Sequence, residues 1–91
     1  MTTILSYAVD PAEEVFQIYL PIGHTIIGIE PDKLPALKYK MVIIGDNEAE
    51  LKITSFVWYV VGEKMTEQNL HFVGMLQGKY LFSILPSALI V

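Results

Sequence analysis

Residues Leu70 to Leu85 read LHFVGMLQGKYLFSIL, two apolar runs hinged on Gln77-Gly78-Lys79. Strand-forming residues on both sides of a short glycine-containing turn are the signature of a β-hairpin. Along the first run Leu70, Phe72, Gly74 and Leu76 share one face, while His71, Val73, Met75 and Gln77 share the other. Along the second run Tyr80, Phe82 and Ile84 oppose Lys79, Leu81, Ser83 and Leu85. The face carrying Phe72 and Phe82 is the expected core face, because paired aromatic rings contribute most where they meet across strands. An isolated hairpin is marginal in water, so further strands must cover it.

The chain supplies them. Ile4 to Val9 reads as a first strand, ended by the turn-forming Asp10-Pro11. Val15 to Leu20 (VFQIYL) reads as a second, turned at Pro21-Ile22-Gly23 into a third, His24 to Ile29. Pro31 and Pro35 mark the segment Glu30–Pro35 as an exposed connection through which neither a helix nor a central strand passes. Lys38 to Ile44 is the fourth strand, closed by Gly45-Asp46-Asn47-Glu48. The fifth, Leu51 to Val61 (LKITSFVWYVV), is apolar on both faces beyond Phe56, the pattern of a strand covered on both sides. Residues 62–69 form a polar connection into the hairpin. The expected fold is therefore all-β: a small antiparallel β-sandwich or barrel of about seven short strands, with little or no helix.

Ninety-one residues make one domain, spanning 1–91. Apolar residues make up 53% of it and charged residues only 18%. That leaves more apolar surface than one small core hides, so a homo-oligomer is expected. The uncharged tail, residues 86–91, is expected to dock on its own chain or on a neighbouring subunit. No cysteine is present, which removes disulfides and thiolate metal sites. The N-terminal stretch lacks a basic segment followed by an apolar core, and the apolar run Tyr80–Val91 is too short and too interrupted by Pro86 to span a bilayer. A cytoplasmic protein with no membrane partner is the expectation.

The net charge is −4, and all six basic residues are lysines. This argues against duplex nucleic acid, whose backbone is held by clustered Lys and Arg. A single nucleotide-like ligand needs far less. Tyr39 between Lys38 and Lys40 offers a ring for a base and two cations for phosphate, although the same triplet also suits an edge strand guarded by lysines. Trp58 offers a second ring. His24 and His71 are the only side chains whose ordinary titration lies near neutrality. These six residues are the candidate ligand-binding set. The serines lie in strand or tail contexts without a nucleophile elbow, the glycines have no phosphate-loop spacing, and the Asp46-Asn47-Glu48-Glu50 cluster lacks the ligand order of a calcium loop. No catalytic residue, metal or cofactor is assigned.

The order of motifs adds a further expectation. Leu20-Pro21-Ile22-Gly23 followed by Ile26-Ile27, Gly62-Glu63 after a long strand, Phe72-Val73-Gly74, and Gly78-Lys79-Tyr80-Leu81-Phe82 run through most of the chain. In this series the chain resembles a family of short, uncharacterised phage- and prophage-encoded β-rich proteins. Members often carry Thr before the Gly-Glu pair and His after the closing aromatic, where this chain has Val61 and Ser83. No catalytic role is therefore carried over. The resemblance implies a phage origin. With no catalytic set in view, the expected function is a non-enzymatic binding protein that antagonises a host defence system. It would do so by sequestering a small nucleotide-like signal in pockets between subunits or by capping a host protein. A structural or assembly component of a phage particle is the alternative.

Overall fold

The structure is a computed structural model, and it describes residues 1–31, 39–67 and 69–85. Seven strands follow one another: β1 (Thr2–Val9), β2 (Val15–Pro21), β3 (Thr25–Pro31), β4 (Tyr39–Asp46), β5 (Leu51–Val60), β6 (Leu70–Leu76) and β7 (Lys79–Ile84). All pairings are antiparallel. They form a three-stranded sheet of order β1-β4-β3 and a four-stranded sheet of order β2-β5-β7-β6. The described Cα atoms span 16 Å in the thinnest direction, as expected for two layers about 10 Å apart.

Between the layers lies the core of Val9, Leu20, Met41, Ile43, Phe56, Trp58 and Leu81. Alternation places Leu5, Tyr7 and Val9 of β1 and Met41 and Ile43 of β4 on the inner side. From the other sheet Phe16 and Phe56 meet as a stacked pair, with centroids 5.2 Å apart. Burying a ring of this size contributes about 1.5–3 kcal/mol, so this pair anchors the layer contact. On the β3–β6 side the two sheets approach closely. A Cβ built on Gly74 would lie 3.2 Å from Cδ1 of Ile29, and glycine is what lets the strands come this near.

The hairpin forms where its sequence places it. Leu76 pairs with Lys79 across a two-residue loop, and both Gln77 (φ 51°) and Gly78 (φ 77°) take the left-handed conformation of a type I′ turn. Its faces are assigned differently from the sequence-based expectation. Phe72 is 53% exposed and Phe82 half-buried, whereas Leu81 and Ser83 are fully buried. Both faces of β7 are apolar, so alternation alone does not say which one turns inward. A bulge between Phe72 and Gly74 also breaks the period in β6. The fifth strand behaves as read: Phe56, Val57, Trp58 and Tyr59 are consecutively buried.

The outward side of the four-stranded sheet is built in rows. Val15, Val57, Phe82 and Phe72 lie side by side across all four strands, and Gln17, Ser55, Ile84 and Leu70 form the next row. The outward side of the three-stranded sheet differs in that it carries charge, the Glu30–Lys40 ion pair (3.5 Å) and Asp46, alongside the exposed Ile4, Ile27 and Ile44. The proline-marked connection is partly strand: Glu30 and Pro31 end β3, which is an edge strand and so tolerates the missing N–H. The tail, residues 86–91, lies outside the described residues. No helix is long and apolar enough to cross a membrane among those described.

Candidate functional site

The two histidines, 47 positions apart in sequence, line one cleft at an end of the sandwich. His24 opens the corner between β2 and β3, where Pro21-Ile22-Gly23 carries the chain from one sheet to the other. Gly23 takes φ 81°, the His24 N–H donates to the Pro21 carbonyl at 3.3 Å, and the Ile22 N–H donates to the Glu50 carbonyl at 2.9 Å. These bonds tie the corner to the start of β5. His71 enters from β6, directly across from Ser83 in the β6–β7 ladder. A cleft of about 390 Å³ is bounded by His24, Thr25, Ile26, His71, Ser83 and Leu85. Beside it lies a recess of about 280 Å³ that shares His24, Ser83 and Leu85 and adds Lys52, Thr54 and the apolar Ile22 and Ile53. The cleft stands at the lower end of the range for small-molecule sites, and the recess just below it.

Hydrogen bonding orients the first ring. His24 Nδ1 lies 2.8 Å from the Pro21 carbonyl oxygen. A carbonyl only accepts, so Nδ1 donates this bond and Nε2 is the ring nitrogen it does not engage. Ser83 is the buried polar residue of the core, and its hydroxyl donates to the His71 carbonyl over a long 3.4 Å. Lys52, level with Leu20 in the β2–β5 ladder, is the cation that lines the adjoining recess. The combination can accept a hydrogen bond, donate one and attract an anion, between apolar walls.

The other candidate residues lie elsewhere. Tyr39 and Lys40 are neighbours on β4 and therefore point to opposite sides of the sheet. The Tyr39 ring packs against the core and its hydroxyl accepts from Gln77 Nε2 at 2.6 Å, while Lys40 pairs with Glu30 on the outside. The expected ring-and-lysine clamp is thus split by the strand's period of two. Lys38 lies outside the described residues. The edge-strand reading of this triplet also fails for β4, which runs between β1 and β3. Trp58 is 3% exposed, packed in the core against Phe16, and its indole N–H is buried without a partner among the described residues. It borders a separate cleft of about 240 Å³ with Glu14, Val60, Glu63 and Lys79. A buried ring cannot stack on an incoming base.

Sequence reasoning missed Lys52, Thr54 and Ser83 as lining residues. Lys52 looks like an ordinary solvated lysine until the ladder places it opposite Leu20. Among the described residues no group of three metal-ligating side chains comes together. Asp46, from the acidic turn, instead accepts from the Met1 amino group at 2.7 Å and from the Glu48 N–H at 2.9 Å. These bonds, the amino group's first, hold its carboxyl below the ordinary 3.8. No family model, no curated protein and no solved structure matches the chain.

Proposed function

We propose that this protein is a non-enzymatic binding protein that captures a small anionic, nucleotide-like ligand in the His24–His71 cleft. The observation that carries the reading is the meeting of both histidines in one cleft, beside a recess that contains Lys52. Nε2 of His24 hydrogen-bonds a base or sugar group, Lys52 faces the charged group, and Ile22 and Leu85 cover the apolar part. The one hydrogen bond to the His24 ring among the described residues is to a backbone carbonyl. A general base would need a positioned acid or nucleophile at that place, so binding fits the site better than turnover. In the setting implied by the phage resemblance, such capture withdraws a host defence signal from its receptor.

Calorimetry with nucleoside monophosphates and cyclic nucleotides tests this directly. One member of the panel is expected to release heat and raise Tm, and His71→Ala and Lys52→Ala each to weaken it at least about tenfold, the worth of one charge-assisted contact. Absence of heat and of any melting shift across the panel excludes the reading. A second reading, an assembly component of a phage particle, is favoured by one feature, the uncharged outward side of the four-stranded sheet.

A further inference from the structure

We infer that the outward side of the four-stranded sheet is the seat of a second copy of this chain. The inference stands independently of the ligand proposed for the cleft. None of the outward positions of β2, β5, β6 and β7 is charged: the rows are filled by Val, Ile, Leu, Met, Phe and Tyr, with only Gln17 and Ser55 as polar interruptions. Val15, Tyr19, Ile53, Phe72 and Met75 on this side are between 47% and 60% exposed. With side chains of roughly 150–250 Å² each, and with the half-buried members of the same rows, the face presents on the order of 700 Å². That is above the few hundred Å² tolerated on a monomer and close to the ~800 Å² each partner contributes to a stable interface.

Three features favour a copy over a different partner. A twisted sheet packs face to face on another of the same twist, about 10 Å away, which is how two such layers form a sandwich. A hetero-partner is selected by complementary charge, and this face has none to offer. The net charge of −4 per chain is also kept off it, so two copies meet without like charges in contact. Dehydration is cheap here. Gln17 Nε2 donates to Ser55 Oγ at 3.2 Å, so the two polar side chains of one row bond each other and part of their desolvation is offset. Two rows further along β5 the Tyr59 hydroxyl accepts from the Glu67 N–H at 3.2 Å. The opposite sheet exposes Ile4, Ile27 and Ile44 as well, but Lys40, Glu30 and Asp46 interrupt its surface with charge.

Light scattering and sedimentation of the full chain decide the matter. The expected mass is twice the 10.2 kDa of one chain. Phe72→Glu and Val15→Glu, one on each flank of the same row, are expected to raise the dimer Kd at least about 30-fold, the effect of a central anchor residue. Ile27→Glu, on the outward side of the other sheet, is expected to leave it unchanged. Should a variant lose its β circular dichroism, hydroxyl-radical footprinting of the wild-type chain replaces it. Tyr19, Phe72 and Met75 must then become protected as concentration rises, and Ile27 must not. A single-chain mass at all concentrations overturns the inference, whether the face is bare or covered by the chain's own tail. So does an assembly broken by Ile27→Glu and untouched by the other two.

Discussion

Trp58 shows how one atom can decide a residue's role. Its ring is 3% exposed and packs against Phe16, but its N–H finds no partner among the described residues. A buried, unpaired donor costs about 1–3 kcal/mol, comparable with what the extra ring area contributes. Trp58→Phe is therefore expected to change the unfolding free energy by less than ~1 kcal/mol. Phe56→Ala, which opens a cavity at a fully buried site with no such compensation, is expected to cost about 3–5 kcal/mol. Urea denaturation of the two variants checks the contrast; equal losses would show that the indole N–H is satisfied in solution. The same residue marks a limit of sequence reading. Composition makes a lone tryptophan attractive as a ligand platform, yet the buried run Phe56–Tyr59 places it in the core. Tyr39 fails for a related reason, since a strand's neighbours diverge by 180° and cannot share a ligand with the lysine beside them.

At the scale of elements, the strands and their turns were legible because local chemistry specifies them. The type I′ loop at Gln77-Gly78, the corner at Pro21-Gly23 and the doubly covered β5 all stand where residue type and alternation put them. Which face of the hairpin turns inward was not legible. Phe72 and Leu81 are both apolar, and only the bulge at Phe72/Gly74 and the contact of Gly74 with Ile29 settle the choice. Long-range facts of this kind leave no local trace. Gly74→Val tests the seam between β3 and β6: with a Cβ already meeting Ile29 at 3.2 Å, the added methyls must push the strands apart. A loss of about 1–3 kcal/mol is expected, the usual cost of overpacking. Amide exchange should quicken in β3 and β6 and stay unchanged in β1. Uniform exchange at wild-type rates would mean that the two sheets do not close there.

For the whole molecule, three surfaces are distinct. The inner layer holds the sheets together, the outward side of the four-stranded sheet is the uncharged face proposed as the seat of a second copy, and the open end carries His24, His71, Ser83 and Lys52. The two histidines, a third of the candidate ligand set, were singled out in the sequence through their titration range alone. Their shared cleft was not, because it depends on the β2–β3 corner folding over the end of the hairpin. One small ligand is proposed to touch both rings. The most direct measurement is a ¹H–¹³C NMR titration of the imidazole C–H signals with the nucleotide panel. Both His24 and His71 are predicted to shift with one shared Kd, and His24→Ala to weaken the response of His71. Rings that stay unmoved by every member, or that shift with different Kd values, would contradict a single site.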